Sequence, residues 1–183
     1  SRSDLKMFGQ ITGRTNVSTT ESPFGAPRRM RNLIGTDKEH ILVYADWKSQ
    51  EAVIQAYLSQ DQEMIKAINS GDIYLHTAKK VGAVPAAAIR KDYEKERELY
   101  KQSFLAIGYG QTAYGLKDKL GISLPKATFI HAQIVKTYNV FQEWTKRITA
   151  KAMQRGYFLT KYGWKYWLSD REIQNPRRLL NWP

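Results

Sequence analysis

Two carboxylates, Asp46 and Glu51, stand where a fold could hold them rigidly for chemistry. Residues 41–46, ILVYAD, form an apolar run of β-favouring side chains that ends on Asp46, and this pattern predicts a strand with an acid at its tip. Divalent metals in phosphoryl transfer need hard oxygen ligands on a rigid support, which a strand-end carboxylate provides. A single strand-end aspartate is more often a cap or turn residue, so that alternative stays open for Asp46 alone.

A second set of residues is spaced four apart along one predicted helix. Arg97, Lys101, Leu105 and Tyr109 fall within a stripe of about 120° at the helical rotation of about 100° per residue. Two cations, an aliphatic residue and an aromatic ring in this order could clamp phosphates and support a base. The spacing equally fits a surface helix with solvated cations and a tyrosine that faces the core.

Most of the chain is predicted to be helical. Apolar periodicity and caps indicate a helix from Glu51 to Leu58, two short helices capped by Asp61 and Asp72, and a longer one over 91–107. Three more follow, within TAYGLKDKLG, KATFIHAQIVKTYN and VFQEWTKRITAKAMQR, the last ending at Gly156. The segment YFLTKYGWKYWL predicts a hairpin around residues 162–163, and a final helix is predicted over about 176–181.

Composition favours a polyanionic partner. Twenty-nine Lys and Arg face seventeen Asp and Glu, a formal charge of +12, and the basic residues recur along the whole chain among five Trp and eleven Tyr. This interleaving is typical of a nucleic-acid surface, although a basic protein with no such partner has the same charge.

The cysteine content, the length of the apolar runs and the two ends of the sequence narrow the class of protein further. The chain has no cysteine, which excludes disulfides and thiolate metal sites and fits a reducing compartment. No apolar run approaches the roughly 20 residues that a bilayer needs, so we expect no membrane association. The chain begins SRSDLKMF and ends RRLLNWP, within an apparent element, so we expect a piece of a larger protein.

An ordered set of motifs resembles the polymerase domain of family A DNA polymerases, the DNA polymerase I type, with phage-like members as near candidates. VYADWKSQEAVIQAYLSQD is similar to the first catalytic motif, D-Y-S-Q-I-E, and RELYKQSFLAIGYG to the motif R-x3-K-x7-Y-G. TGRTN, RRMRNLIG, RGYFLTKYGWKYWL and RRLLNWP resemble further segments in the same order. Each motif alone is weak evidence for the family, but the ordered set is strong and covers nearly the whole chain.

The resemblance implies roles at the first motif. Asp46 would ligate both ions of a two-Mg²⁺ site, with the carbonyl of Trp47 as a further ligand. Glu51 would pack against the sugar of the incoming nucleotide and reject a 2′-hydroxyl. Lys48, Ser49 and Gln50 depart from the family's S-Q-I at these positions.

The resemblance also implies a nucleotide site and a DNA surface. Arg97 and Lys101 would hold the triphosphate of a dNTP, and Tyr109 would close over the nascent base pair. Leu105 stands where the family has Phe or Tyr, and Tyr74 stands where it has a phosphate-binding His, with His76 two residues on. The contacts to the primer-template duplex would come from Arg14, Arg177 and Asn181.

The implied architecture is α+β and helix-dominated, a fingers subdomain with part of the palm of a right-hand polymerase. Residues 1–60 would be a partial palm with the first catalytic motif, 61–155 the helical fingers, and 156–183 a hairpin and the start of the next palm helix. The family's His-Asp-Glu motif, with its second metal-binding carboxylate, is not in the sequence, and neither is a thumb.

The activity that the resemblance implies is template-directed addition of dNTPs to a primer 3′ end, in the cytoplasm of a bacterial or phage-infected cell. This chain would be inactive alone, and a second chain is one source of the missing palm and thumb. Two alternatives stay open: a nucleic-acid-binding module that does not catalyse, and a fragment of a single-subunit RNA polymerase, which shares the R-x3-K-x7-Y-G helix. Glu51 counts against the RNA polymerase, because a ribonucleotide enzyme must leave room for the 2′-hydroxyl.

Overall fold

The computed structural model describes residues 5–6, 9, 15–17, 28–43, 45–175 and 179–180. The chain divides into two compact units, residues 1–48 and residues 49–183. In the first unit, strand β1 (Leu5–Lys6) pairs antiparallel with strand β2 (Asn16–Val17), and a 3₁₀ helix covers Arg28–Leu33.

The predicted strand over residues 41–46 is not found. Among the described residues, 41–43 and 45–47 have no strand pairing, and Ile41, Leu42 and Val43 are largely exposed. A β-prone sequence becomes a strand only when a second strand satisfies its backbone N–H and C=O groups, and no described segment does so here. The prediction was therefore wrong for these residues.

The second unit is dominated by helices, as predicted. They are α1 (Gln50–Ser59), α2 (Gln62–Asn69), α3 (Ile73–Lys80), α4 (Glu94–Gly108), α5 (Ala113–Leu120), α6 (Leu124–Thr137), α7 (Asn139–Arg155) and α8 (Asp170–Gln174). The predicted helix over 176–181 lies mostly outside the described residues. Within the described part of the chain, no helix is long and apolar enough to cross a membrane.

The helix boundaries follow local chemistry. The Asp61 carboxylate accepts the backbone N–H groups of Glu63 and Met64, and the Asp72 carboxylate accepts those of Tyr74 and Leu75, so both predicted caps are confirmed. The other oxygen of Asp61 accepts the N–H of Phe141 at 3.0 Å. This buried carboxylate therefore joins the start of α2 to the start of α7.

The core of the helical unit lies where α3, α4 and α6 meet. Phe104 of α4 packs edge-on against Tyr74 of α3 and against Tyr138 at the end of α6, with ring centroids 5.8 and 5.6 Å apart. The hydroxyl groups of Tyr138 and Thr77 share a buried hydrogen bond of 2.6 Å. These aromatic contacts fix α4 relative to α3.

The predicted hairpin is confirmed. Strand β3 (Tyr157–Leu159) pairs antiparallel with strand β4 (Lys165–Trp167), and Gly163 takes the positive φ of 83° that the turn needs. Phe158 of β3 packs with Ala152 of α7 and Leu179 in a second, smaller core. The hairpin is thereby fixed against the C-terminal end of α7.

Acid should remove a contact between α2 and α3. Glu63 accepts hydrogen bonds from Lys80 at 2.7 Å and Lys66 at 2.9 Å, and these two lysines, Lys80 first, lower its pKa to about 2. The folded pKa lies below the ordinary value of 4.5, so the stabilisation is present above pH 4.5 and is lost as the pH falls towards 2.

Glu63→Gln should therefore lower the urea midpoint at pH 7 and have a smaller effect at pH 3. Lys80→Gln, which leaves Lys66 in place, should give an intermediate result. An equal effect of Glu63→Gln at both pH values would contradict this account of the contact.

Candidate functional site

The residues spaced four apart are placed by α4. Arg97, Lys101 and Leu105 lie within the helix, and Tyr109 follows it directly, with its N–H donating to the carbonyl of Leu105 at 3.1 Å. Arg97 is buried, Lys101 and Leu105 are half-buried, and Tyr109 is 40% exposed. Because the exposure rises from Arg97 to Tyr109, the later positions are the ones open to a ligand.

Arg97 is held by α3 and is not a solvated surface cation. Its Nε donates to the Asp72 Oδ2 at 2.6 Å, and its guanidinium carbon lies 5.4 Å from the centroid of the Tyr74 ring. A hydrogen-bonded carboxylate and a stacked ring restrain a guanidinium in position and orientation. The solvated-cation alternative is therefore wrong for Arg97.

The two carboxylate oxygens of Asp72 accept different hydrogen bonds. One oxygen caps α3 and the other binds Arg97. Burial raises the pKa of Asp72, but the hydrogen bond from Arg97, the Leu75 N–H and the charge of Arg97 outweigh it, so the pKa is lowered. The carboxylate is ionised at neutral pH, and any anion that approaches Arg97 must compete with it.

Tyr74 connects Arg97 to the start of α1. Its hydroxyl lies close to the Ser49 side chain and in the field of Glu51 as well as of Arg97. Burial is the main cause that raises the pKa of Tyr74, so the phenol keeps its proton at neutral pH. The structure thus brings Glu51, Ser49, Tyr74, Asp72 and Arg97 into one cluster, named below the α1–α3–α4 cluster.

The side chain of Gln55 on α1 contacts the end of α4. A Cβ on Gly108 would stand 3.0 Å from the Nε2 of Gln55, a separation tighter than ordinary van der Waals contact, so glycine at the end of α4 leaves room for this side chain. Glu51 belongs to the first turn of this same helix α1.

Lys101 is the more accessible of the two cations. Its Nζ lies 3.7 Å from the Glu98 Oε2, and the same oxygen lies 3.9 Å from an Nη of Arg97. The Lys101 side chain is 39% exposed. An exposed pair at this distance contributes little stability, so an incoming phosphate can displace Glu98 from Lys101 at small cost.

His76 lies outside the α1–α3–α4 cluster. Burial and the nearby Lys80 lower its pKa, and its other charged neighbours are Glu63 and Lys79. Of the two residues that the sequence offered as the phosphate-binding group, the structure therefore places Tyr74, and not His76, beside Arg97.

The segment that resembles the family's first catalytic motif is divided between the units. Asp46 and Trp47 belong to residues 1–48 and Glu51 to residues 49–183, and Trp47 is 79% exposed. In the described part of the chain, no three His, Asp or Glu side chains lie close enough together to hold a metal ion. One carboxylate and one backbone carbonyl do not fit a two-metal site, whose ions lie about 3.5–4 Å apart and share several oxygen ligands.

The three predicted DNA contacts are not tested by this structure. Arg14, Arg177 and Asn181 lie outside the described residues.

The sequence predicted Asp72 as a helix cap but gave no sign of its bond to Arg97, nor of Ser49 as a neighbour of Tyr74. Asp72 and Arg97 are 25 residues apart on different helices, so no local spacing signals their contact.

A solved polymerase has a similar fold. The POL domain of Pol1 from M. smegmatis, in complex with DNA primer-template and dNTP, matches 98% of this chain with a TM-score of 0.75 at 23% sequence identity. The match covers 34% of that chain. The chain therefore has the fold of part of a polymerase domain.

The chain belongs to DNA polymerase family A, whose pattern matches residues 14–180, and the resemblance read from the motifs is confirmed. It is similar to DNA polymerase I of Caldicellulosiruptor bescii, with 25% identity over 91% of this chain and 20% of the relative. The Mycobacterium tuberculosis enzyme is 27% identical over 82% of this chain and 16% of the relative. The chain thus spans about a fifth of the relatives' length.

Proposed function

We propose that this chain is the fingers and part of the palm of a template-directed DNA polymerase that adds dNTPs to a primer 3′ end. The observation that carries the proposal is the α1–α3–α4 cluster, because it joins the residue expected to bind triphosphate, Arg97, to the residue expected to meet the sugar, Glu51, through Tyr74. The family match and the fold support it.

Each residue of the proposed nucleotide site has one role. Lys101 and Arg97 hold the triphosphate, with Lys101 making the first contact because it is the more accessible. Tyr74 donates its neutral hydroxyl, where the family's usual histidine could also carry a charge. Tyr109 covers the nascent base pair, and Leu105 forms an aliphatic wall beside it.

The proposed division of the chain follows the family: residues 1–60 as partial palm, 61–155 as fingers, and 156–183 as hairpin and the start of the next palm helix. In this arrangement Arg14, Arg177 and Asn181 contact the primer-template duplex, and the charge of +12 favours that partner.

Mg²⁺ is the proposed cofactor, with Asp46 and the carbonyl of Trp47 as its ligands from this chain. When bound, the metal would neutralise charge on the transferring phosphoryl group. Because these residues do not fit a two-metal site by themselves, further carboxylates must come from other polypeptide, either the rest of the same protein or a second chain.

Two alternatives make different predictions from the proposal. A nucleic-acid-binding module that does not catalyse would have the same charge but no need for a triphosphate site. A single-subunit RNA polymerase would need room at the 2′ position, and the carboxylate of Glu51 in the cluster favours the DNA polymerase.

Primer extension tests the proposal. The isolated 183-residue chain should extend no primer with Mg²⁺ and dNTPs, whereas the same chain within a complete polymerase should extend it, and Asp46→Asn should abolish that activity. Glu39→Gln, which changes an exposed carboxylate in the same unit, is the matched control and should leave extension unchanged.

Extension by the isolated chain that Asp46→Asn abolishes would show that this chain supplies the whole metal site. No extension by the complete polymerase would favour the non-catalytic module.

A further inference from the structure

An open apolar groove lies on the side of the helical unit formed by α1, α7 and the β3–β4 hairpin. Its volume is about 640 Å³, and the helices contribute Val53, Ile54, Leu58 and Ile148 to its lining. We call it the α1–α7 groove. None of these four residues takes part in the proposed nucleotide site, so the inference below does not rest on the proposed function.

The groove exposes more apolar surface than isolated surface residues do. Ile54 and Tyr57 on α1 and Leu159 on β3 are each between 43% and 51% exposed, and all three line the same depression. A contiguous apolar patch around a groove is typical of a surface that another molecule covers. Buried contacts hold α7 against the hairpin, and Ala52 and Ala56 anchor α1 in the larger core, so the groove is preformed.

Charge indicates what the covering molecule carries. Lys151 and Arg155 at the end of α7 and Lys161 in the hairpin line the groove, and no Asp or Glu among the described residues does. None of the three cations forms an ion pair within the described part of the chain. A partner with acidic side chains beside apolar ones would complement both the apolar lining of the groove and its three cations.

We propose that the α1–α7 groove docks a polypeptide segment that presents apolar anchors flanked by Asp or Glu. Amphipathic segments bind in this way, with anchors at regular spacing in an apolar groove. The lining combines the aliphatic side chains of Val53, Ile54, Leu58 and Ile148 with aromatic rings. The rings are those of Tyr57, Trp144, Tyr157, Phe158 and Tyr162. Apolar protein side chains pack against both kinds of surface, and the oligo-dT competition below distinguishes a peptide from a nucleic acid.

A second copy of this chain does not fit the groove. Each copy carries a charge of +12, and the three cations at the groove would face a positive surface, which costs free energy. An acidic segment of another polypeptide has the opposite charge and meets no such cost.

A peptide selection tests the proposal on the 183-residue chain. A phage-displayed library of random 16-residue peptides is selected on the wild-type chain after depletion on the variant Ile54→Asp/Leu159→Asp. The matched control is Ile89→Asp/Phe129→Asp, which adds the same two charges at exposed apolar positions outside the groove. Circular dichroism checks that both variants keep their helices.

The enriched peptides should carry apolar residues at regular spacing with Asp or Glu beside them. By fluorescence anisotropy their affinity should fall at least tenfold in the groove variant and less than threefold in the control. A photoreactive residue in the peptide should cross-link to α1, α7 or the hairpin.

Three results would overturn the proposal. No peptide is enriched, or the enriched peptides bind both variants equally, or single-stranded oligo-dT displaces them and itself loses affinity only in the groove variant. The last result would assign the groove to nucleic acid.

Discussion

Replacing Arg97 by methionine in a complete polymerase that contains this chain should reduce kcat/KM for dNTP incorporation by about 10²–10³, the effect of removing one preorganised charge-stabilising donor. The guanidinium is already oriented by Asp72 at 2.6 Å and by the Tyr74 ring, so a triphosphate that competes with Asp72 would meet a donor that needs no further ordering. Methionine keeps much of the stem that packs on Tyr74 but provides no donor. Steady-state incorporation of one dNTP opposite a fixed template base measures the effect.

A stability loss could imitate this result, because Arg97→Met leaves the part-buried Asp72 carboxylate without its cation. Leaving such a group without its partner costs about 1–3 kcal/mol. The double variant Asp72→Asn/Arg97→Met removes that penalty, since a neutral amide still accepts the N–H groups at the start of α3. The urea midpoint should therefore recover in the double variant while kcat/KM stays low.

If kcat/KM recovers together with stability, Arg97 serves only to hold α3 against α4. Lys101→Met is the matched comparison, because Lys101 is half-exposed and its partner Glu98 lies 3.7 Å away. It should reduce kcat/KM with almost no change in the urea midpoint.

The sequence predicted the helices well because their signals are local. Asp61, Asp72 and Gly156 each mark a helix end through the next few residues, and the structure uses all three in that way. The missed helix α8 also carries a local signal. Ser169 and Glu172 form a capping box, which the letters SDRE would have revealed.

Local signals could not establish whether residues 41–46 form a strand, because a strand depends on a partner strand that its own residues do not specify. The same limit applies to the α1–α3–α4 cluster. Spacing placed Arg97 and Lys101 on one helix, but the distinction between a buried, paired Arg97 and a half-exposed Lys101 comes from Asp72 and Tyr74 on α3. The groove beside α1 was not expected either, because its lining comes from three separate elements.

Sugar selection should depend on Glu51. We expect Glu51→Ala, in the complete polymerase, to lower the preference for dNTP over rNTP by two orders of magnitude or more, each factor of ten being about 1.4 kcal/mol of differential transition-state binding. The carboxylate lies in the first turn of α1 and in the field of the Tyr74 hydroxyl. A side chain held there leaves little room for a 2′-hydroxyl, and alanine opens that space.

Glu51→Gln distinguishes the effect of the side chain's size from that of its charge, because the glutamine amide has nearly the same shape as the glutamate carboxylate but no charge. If exclusion of the hydroxyl is steric, Glu51→Gln should keep most of the preference and Glu51→Ala should lose it. The ratio of kcat/KM for dNTP and rNTP is measured with one template base in all variants, and Leu105→Phe tests whether the aliphatic wall on α4 already loosens the pocket. An unchanged ratio in Glu51→Ala would show that Glu51 does not read the sugar, and it would favour the ribonucleotide enzyme instead.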